Sequence, residues 1–347
     1  MADWDKTDRE GDETRPPWAS GRADHDAPPF SPVSPEVDDH APLPPASGRA
    51  NDDAPPLVSL NANDDTPPTS GADGEAFWAP PAGSARGWLA TRGRHLTLAV
   101  TFLTAVRLPD PGAEVAPAEL WASMGLYPLV GLVLGLAGWG VYALLLYAVT
   151  PLVAAALVIV GLELSTRALH LDGLMDTADG YLSGAPRERA LESMKDSRVG
   201  AMGVFAAIAV MIVKVSALAS LARPGAALGL MIGLSAARAL PALDVRLFAY
   251  ARREGTGAAF AGAGTTDGPV VSAVVIAAIV AIVVGVLAHG GVGAPLGLLL
   301  FGATVALALG VQALVGRRLG GLTGDVYGLG IELAEALALV GAVLIVR

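Results

Sequence analysis

A series of apolar stretches separated by charged connections constrains this chain more than any other feature. The stretches lie at 120–149, 152–169, 200–222, 225–241, 269–289, 295–315 and 330–346. Several of them reach the ~20 residues that an α-helix needs to cross a ~30 Å hydrocarbon layer. Because backbone groups inside a bilayer must be hydrogen-bonded within the protein, such stretches form helices. The sequence therefore predicts an all-α, polytopic membrane helical bundle with about seven transmembrane helices.

The first quarter of the chain has a different composition and predicts a disordered tail. Residues 1–86 carry 6 of the 23 basic side chains, 17 of the 33 acidic ones and 15 of the 25 prolines. Such a segment has too little apolar surface to offset the backbone entropy lost on folding. Its acidic start, MADWDKTDRE, is unlike a signal peptide. We therefore divide the chain into a tail at 1–90 and a membrane-embedded domain at 91–347.

The distribution of charge also excludes classes of function. The tail accounts for the net charge of −10, and the nearly neutral remainder has no basic footprint for nucleic acid. With no cysteine, disulfides and thiol chemistry are excluded as well. His95–Val106 is apolar but has only 12 residues, so we expect an interfacial or re-entrant helix there.

Basic residues are concentrated in alternate connections, which predicts the orientation of the bundle. The connections 170–199, 242–268 and 316–329 contain several Arg or Lys residues each, whereas the short tips between them contain at most one. Seven spans that start from a cytoplasmic N-terminus place every Arg-rich connection on one side. By the positive-inside rule, that side faces the cytoplasm.

Acidic residues cluster at the end of the second predicted span. The sequence there reads HLDGLMDTADG, and MKDSRVG follows it at 194–200. At about 100° per helical residue, Asp176 lies about 40° and Asp179 about −20° from Asp172, so the three share one face. These like charges repel, and Mg²⁺, which favours a few carboxylates, water and phosphate oxygens, would remove the repulsion. We expect Gly173 and Gly180 to break the helix locally and to let a bulky ligand approach the backbone.

Basic side chains near this motif are candidates for binding phosphate groups. Lys195 and Arg198 flank Asp196, and the pattern favours a functional role for Arg198. For Arg187 and Arg189 a phosphate clamp and a topology-setting charge are equally good explanations.

Charged residues inside the predicted spans form a further set. For Lys214 and Arg238, partners inside the bundle and contact with substrate both remain open, and Arg238 can also snorkel to the interface. Glu163 and Arg167 are spaced i,i+4 near the end of a span, so we expect them to neutralise each other. A glycine-rich stretch at 320–335, GGLTGDVYGLGIELAE, is expected to form a turn whose N–H groups cradle a phosphate, with Asp325 as a metal ligand.

Together these motifs resemble cobalamin synthase, the adenosylcobinamide-GDP ribazoletransferase family. The resemblance rests on FLTAVRLPDP at 102–111, YPLVGLVLG at 127–135, LHLDGLMDTADG at 169–180, RERALESMKDSRVGAMG at 187–203, Lys214, AYARREGTG at 249–257 and LGGLTGDVYG at 319–328. It covers the chain from residue 95 to its end. Glu163 and Arg167 depart from the small or apolar residues that usually precede HLDG.

The resemblance implies an activity. In that family a ribose hydroxyl oxygen of α-ribazole, or of its 5′-phosphate, attacks the corrinoid-linked phosphate of adenosylcobinamide-GDP, and GMP leaves. The product is adenosylcobalamin or its 5′-phosphate. The resemblance also implies dependence on Mg²⁺ and a place in the bacterial cytoplasmic membrane, with the active site on the cytoplasmic face. A homo-oligomer, or contacts with other cobalamin-pathway enzymes, is compatible with it.

On this basis we assign roles to the candidate residues. The catalytic candidates are His170, Asp172, Asp176, Asp179 and Asp196. The three aspartates at 172, 176 and 179 would hold Mg²⁺ on the diphosphate, and one carboxylate, or the histidine, would take the proton of the attacking hydroxyl. The candidates for binding substrate or phosphate are Lys195, Arg198, Lys214, Arg238, Arg252, Gly324 and Asp325.

Two other classes of protein share part of this pattern. CDP-alcohol phosphotransferases also cluster aspartates at the end of a membrane helix, but their DGxxAR motif is missing, since Leu174 and Met175 follow Gly173 and lead to Asp176. A cation or proton transporter would spread polar residues through the spans near the midplane and often contain an internal repeat. Here the polar groups gather at one end of the spans.

Overall fold

The structure, a computed structural model, describes residues 85–109, 115–196, 198–252, 258 and 266–346. These residues form helices and connecting turns, with an isolated bridge between Tyr250 and Leu322. They belong to one unit, Gly74–Arg347. The predicted tail up to residue 84 lies outside the described residues. Residues 85–90, which we assigned to the tail, are part of the first helix instead.

Twelve α-helices follow one another along the described residues. Their bounds are α1 Ala85–Leu103, α2 Pro117–Met124, α3 Tyr127–Leu145, α4 Pro151–Ser165, α5 Leu169–Leu182, α6 Arg187–Ser193, α7 Ala201–Ala219, α8 Arg223–Ala227, α9 Gly233–Leu247, α10 Gly268–His289, α11 Gly293–Leu319 and α12 Gly324–Val346. A π-helical turn at Leu228–Ile232 joins α8 to α9, and a 3₁₀ turn at Gly290–Val292 joins α10 to α11.

Five helical segments of the described residues are long and apolar enough to span a membrane, and a sixth arises if the bent pair α4–α5 is one broken span, whereas about seven were predicted. One of the five, Gly268–Leu319, has 52 residues, or about 78 Å of helix, which is far more than a bilayer needs. It consists of α10 and α11, which pack closely against each other, since a Cβ at Gly285 would overlap the Gly293 carbonyl and one at Gly297 would overlap that of Ala281. Counting these two helices separately accounts for the difference from the predicted number.

The second predicted span ends earlier than expected. The segment 152–169 is helical only to Ser165, and the chain then turns by 89° into α5. The hydroxyls of Ser165 and Thr166 donate to the carbonyls of Leu162 and Glu163, at 2.7 and 3.0 Å, and add to the backbone hydrogen bonds that these carbonyls accept at the helix end. Arg167 and its successor then adopt positive φ angles of 57° and 53°. The acidic motif therefore lies on a separate helix rather than in the predicted loop at 170–199.

Helix α9 is the central element of the bundle. In the apolar window of Arg223–Leu247, 89% of the residues are buried, against 28% for Ala201–Ala219 on the periphery. On the peripheral helix α7, Phe205 and Ile212 leave 66% and 59% of their surface exposed, as lipid-facing side chains do. The segment predicted at 225–241 thus extends to Leu247 and forms the core against which α3 and α12 pack.

Candidate functional site

Helix α5 carries the acidic motif and packs closely against the start of α12. A Cβ at Gly173 would lie 2.8 Å from the Asp325 carbonyl oxygen, and one at Gly180 would lie 2.8 Å from the Ala190 carbonyl oxygen. Both glycines lie inside the helix. The prediction that they break the helix is therefore wrong, although Gly173 does border the cavity described below. Their lack of a side chain instead allows α5 to approach its neighbours, which brings Asp172 beside Asp325.

Asp325 lies in the first turn of α12, so it is not in the middle of a turn as predicted. The turn before it uses Gly320 and Gly321 at φ angles of 75° and 143°, which a glycine adopts readily. The Thr323 hydroxyl donates to Asp325 Oδ2 at 3.2 Å, and Arg252 Nη2 forms an ion pair with the same oxygen at 3.0 Å. Arg252 is therefore held at the acidic motif.

A short backbone pairing positions this arginine. The N–H of Ala251 donates to the Leu322 carbonyl at 2.7 Å, and the N–H of Leu322 donates to the Ala249 carbonyl at 2.9 Å. These two bonds fix the residues directly before Arg252 against the turn that precedes α12. Sequence reasoning listed Arg252 as a candidate for binding phosphate but did not connect it with Asp325, because the pairing joins segments about 70 residues apart.

Asp172, Asp176 and Asp325 form one electrostatic cluster, which we call the aspartate cluster. The charges of Asp172 and Asp325 act on the carboxylate of Asp176, and so do the charges of Asp179 and Arg252. Asp172 is exposed, whereas Asp176 and Asp325 are half-buried. Three carboxylates thus face one arginine at the junction of α5 and α12, an arrangement that favours the binding of a cation.

Asp179 has a different environment from the other two aspartates of the motif. Its Oδ2 accepts a hydrogen bond from the Gly200 N–H at 2.7 Å, and its Oδ1 accepts one from the Gly203 N–H at 2.8 Å. These donors are at the N-terminus of α7, where a carboxylate is favoured by free N–H groups and by the helix dipole. In this structure Asp179 caps a helix, which differs from its predicted role as a metal ligand.

The MKDSRVG motif lies at the surface. Arg198, whose side chain is 87% exposed, pairs with Asp196 through Nη2 and Oδ2 at 2.7 Å. Hydrogen bonds from the side chain and backbone of Arg198 lower the pKa of Asp196 to about 2. Lys195 is exposed beside them. Asp196 and Arg198 bind each other, and their described contacts do not bring them into the aspartate cluster.

Lys214 and Arg238 belong to a second, buried cluster. The Nζ of Lys214 lies 3.0 Å from Glu163, 2.6 Å from Glu332 and 2.7 Å from Glu335, and Arg238 pairs with Glu335. We call these five residues the buried ion cluster. Of the two explanations left open by the sequence, the structure favours partners inside the bundle, so the predicted contact of Lys214 and Arg238 with substrate finds no support in this geometry.

The buried ion cluster corrects a further prediction. Glu163 pairs with Lys214 rather than with Arg167, which is exposed beyond the end of α4, where the i,i+4 geometry of a helix no longer holds. Sequence reasoning missed Glu332 and Glu335, although their i,i+3 spacing inside an apolar segment was a signal. Their oxygens and that of Glu163 lie within 4.8 Å of one another, but the Lys214 ammonium already contacts all three.

A cavity of about 510 Å³ opens beside the aspartate cluster. Helices α1, α2, α3, α5, α9 and α12 all contribute to its wall. Asp172, Asp325, His170 and Gly324 lie at its lining, and Arg167 borders it too. His170 is buried, with 4% of its surface exposed, and it also contacts the buried ion cluster. A small organic molecule of ordinary ligand size fits a cavity of this volume.

Arginines hold the Arg-rich connections together at this end of the bundle. Arg187 Nε donates to the Leu319 carbonyl at 2.7 Å, and Arg318 Nη2 donates to the Ala185 carbonyl at 2.9 Å. Arg318 also stacks on Tyr181, with its Cζ 5.0 Å from the ring centroid. Arg187 therefore binds a backbone carbonyl at the C-terminus of α11, where a cation is favoured. The connections 183–200, 248–252 and 320–323 lie at the same end as the aspartate cluster.

Comparison with known proteins identifies the family. A family model described as CobS, cobalamin-5-phosphate synthase, matches residues 95–343. The chain belongs to the CobS family. An adenosylcobinamide-GDP ribazoletransferase of Brevibacillus brevis is 38% identical over 241 residues, which cover 70% of this chain and 94% of that protein. One of Desulfitobacterium hafniense is 40% identical over 263 residues, which cover 72% of this chain and 96% of that protein. No solved structure matches.

The CobS match covers all the helices that build the aspartate cluster and the cavity. It begins at His95 within α1 and ends within α12, so the family's chain includes both α5 and the turn that positions Asp325. A third relative, from Azorhizobium caulinodans, has the same printed name and is 36% identical over 258 residues. The resemblance drawn from the sequence motifs is thereby confirmed at the level of the family.

Proposed function

We propose that this chain joins adenosylcobinamide-GDP and α-ribazole, or its 5′-phosphate, to form the complete cobamide and GMP. The reaction is the one that the names of its CobS relatives describe. The observation that carries the proposal for this chain is the aspartate cluster with Arg252, two of whose carboxylates, Asp172 and Asp325, line the cavity. It combines carboxylates, a phosphate-binding cation and a ligand-sized space, which are the parts that transfer of a substituted phosphoryl group from a diphosphate to an alcohol needs.

The proposed reaction is a substitution at phosphorus. A ribose hydroxyl of the ribazole, one that stays free when the 5′ oxygen carries a phosphate, forms a bond to the phosphorus that carries the corrinoid, and its proton passes to a carboxylate. The bond between that phosphorus and the oxygen bridging to the second phosphate breaks, and GMP leaves with the electron pair. Asp172, which is exposed and lines the cavity, is best located to receive the proton. Arg252 pairs with Asp325 through Nη2, and its Nε, which has no hydrogen-bond partner among the described residues, would donate to a phosphate oxygen.

Mg²⁺ is proposed as the cofactor on the chemistry of the donor set. Asp172, Asp176 and Asp325 repel one another, and their carboxylate oxygens are the ligands that Mg²⁺ prefers. Within the described residues they do not form a group as tight as the glutamates of the buried ion cluster. This spacing suits an ion that keeps several water molecules and binds substrate phosphates. When bound, Mg²⁺ would neutralise charge on the diphosphate and on the carboxylates.

The proposed orientation puts the aspartate cluster on the cytoplasmic side. Its support is that the Arg-rich connections contact one another at this end, as Arg187 and Arg318 do. Since the chain has no cysteine, single cysteines can be introduced at Lys195 and at Gly291, in the opposite tip. In intact cells, an impermeant maleimide should label Gly291→Cys only. If only Lys195→Cys is labelled, the protein has the opposite orientation to the one proposed.

Product analysis tests the activity directly. Purified, detergent-solubilised protein is incubated with adenosylcobinamide-GDP, Mg²⁺ and either α-ribazole or its phosphate, and the expected products are GMP and a complete cobamide. CDP-diacylglycerol with a polar alcohol is the control pair of substrates, and reaction with that pair alone would contradict the proposal. The Asp176→Asn variant should lose turnover even at saturating Mg²⁺. Near-normal turnover of that variant would refute the metal assignment.

A further inference from the structure

The wall of the cavity beside the aspartate cluster has few charged side chains. They are Arg167 and the neighbouring Asp172 and Asp325 of the aspartate cluster. The rest of the wall is mostly apolar and comes largely from the first three helices, with Leu98, Phe102, Leu103, Leu120, Met124 and Ile331. A diphosphate would lose its hydration without compensation among these side chains. The apolar part of the cavity therefore suits an uncharged ring system attached to a polar group at the aspartate cluster.

Two buried hydroxyl groups line this apolar part. Thr101 Oγ1 has no hydrogen-bond partner among the described residues, and Tyr127 Oη has only a weak interaction with the Ser123 hydroxyl. Tyr127 leaves only 1% of its surface exposed, and the nearby Ser123 hydroxyl donates instead to the Leu120 carbonyl at 2.7 Å. Buried polar atoms are normally hydrogen-bonded, so hydroxyls without a strong partner beside a cavity indicate a ligand with a polar atom. That atom would lie beside the apolar side chains of α1 and α3.

An aromatic pair forms part of the same wall. The rings of Phe102 and Tyr127 are stacked, with their centroids 6.1 Å apart and an angle of 18° between their planes. Flat aromatic ligands pack well against such a surface, because their π-systems stack with an offset. The wall thus combines an aromatic face with hydroxyl donors.

Size distinguishes between the two substrates of the proposed reaction. A cavity of about 510 Å³ accepts a nucleoside, whereas a corrin ring with its amide side chains is too large for it. The guanosine of the other substrate is attached to a charged diphosphate, which belongs at the aspartate cluster. A nucleoside whose ribose lies at Asp172 has its base among the apolar side chains, and its attacking hydroxyl then lies beside the aspartate cluster, where the phosphate must bind.

We infer that this cavity binds the base of α-ribazole, a benzimidazole, and that Thr101 and Tyr127 recognise the acceptor nitrogen of its ring. The inference rests on the proposed function, since it assigns one substrate of that reaction to a location. It goes beyond that function by naming specificity-determining residues on α1 and α3, which are remote from the acidic motif in sequence. The corrinoid half of the other substrate stays outside the cavity.

Hydroxyl-deleting variants test the assignment. Thr101→Val and Tyr127→Phe keep the shape of each side chain, and the matched controls are Thr97→Val, whose hydroxyl donates to the Gly93 carbonyl, and Tyr147→Phe, which is 78% exposed. Binding of α-ribazole alone to the detergent-solubilised full chain is measured by equilibrium dialysis. We expect the dissociation constant to rise about 5- to 10-fold in at least one test variant and to stay unchanged in the controls. The KM for adenosylcobinamide-GDP should stay within about twofold of wild type.

A nucleoside analogue gives the sharper measurement. In an α-ribofuranosyl indole a C–H group replaces the acceptor nitrogen, so wild type should bind it more weakly than α-ribazole, and the variant lacking the donor should bind the two equally. A variant that still prefers α-ribazole by the wild-type factor overturns the assignment. The assignment is also overturned if both variants weaken the binding of adenosylcobinamide-GDP only. If either hydroxyl has only a structural role, its removal should weaken the binding of both nucleosides by the same factor.

The outcome separates this inference from the proposed function. If wild type binds α-ribazole and the variants bind it more weakly, but no cobamide forms, the inference stands and the proposed reaction is wrong. If cobamide forms and both variants bind α-ribazole as wild type does, the inference alone is wrong. Filling the cavity with Leu98→Trp serves as a second variant, and it should abolish binding of α-ribazole while the melting temperature stays near that of wild type.

Discussion

Replacing Lys214 by methionine should cause a large loss of stability, because the buried ion cluster depends on this one ammonium group. Its Nζ contacts three carboxylates at 2.6 to 3.0 Å, and only 1% of the side chain is exposed. With Arg238 the cluster has three negative and two positive charges, and Lys214→Met changes its formal charge from −1 to −2. Removing one partner of a buried ion pair typically costs about 3–5 kcal/mol. For a domain of this size that corresponds to a lower melting temperature by roughly 10 °C.

Thermal unfolding in detergent, followed by intrinsic fluorescence at a fixed scan rate, measures this effect. Lys195→Met is the matched control, since that lysine is exposed, and its melting temperature should not change. The double variant Lys214→Met with Glu332→Gln returns the formal charge to −1 and should recover part of the lost stability. The electrostatic reasoning is refuted if Lys214→Met unfolds within about 2 °C of wild type. A double variant less stable than the single one would refute it too.

Three further predictions concern the neighbourhood of the aspartate cluster. Arg252→Met should reduce the rate of GMP release about 100-fold, while Arg252→Lys, which keeps the charge, retains more activity. Gly173→Ala adds a methyl group 2.8 Å from the Asp325 carbonyl oxygen and should destabilise the protein by about 1–3 kcal/mol in thermal unfolding, whereas Gly161→Ala, with no atom within 4 Å, should be tolerated. Asp179→Asn removes one of two acceptors at the start of α7 and should cost about 1 kcal/mol with unchanged dependence on Mg²⁺. If the variant needs a tenfold higher Mg²⁺ concentration for half-maximal activity, Asp179 is a metal ligand instead.

Most of the helices could be predicted because the bilayer imposes a strong local rule. A segment must contain about 20 apolar residues to cross, and this requirement is visible in the chain without knowledge of its partners. The boundaries at 201, 268 and 293 agree with the predicted segments to within two residues. The break after Ser165 escaped prediction, because both sides of it are helical and the 89° turn depends on positive φ angles at two residues that are not glycine.

The acidic motif shows where local reasoning reaches its limit. Helical spacing correctly places the three aspartates on one side of α5, but it cannot show that they have different binding partners. The N-terminus of α7 takes both oxygens of Asp179, and the start of α12 brings Asp325 to the other two. Each of these neighbours arrives through packing at glycines, so the composition of the cluster depends on how the helices pack.

The sequence by itself determined the membrane architecture, the family and the position of the acidic motif, because each depends on residues that are close together in the chain. Only the tertiary structure decided which charged residues form ion pairs with each other. Lys214 binds carboxylates 51, 118 and 121 residues away, whereas the Arg167 that stands four residues from Glu163 has no part in the cluster. A buried charge must be paired with whatever opposite charge the packing brings within reach, and that partner is set by the contacts between helices and not by spacing along one helix.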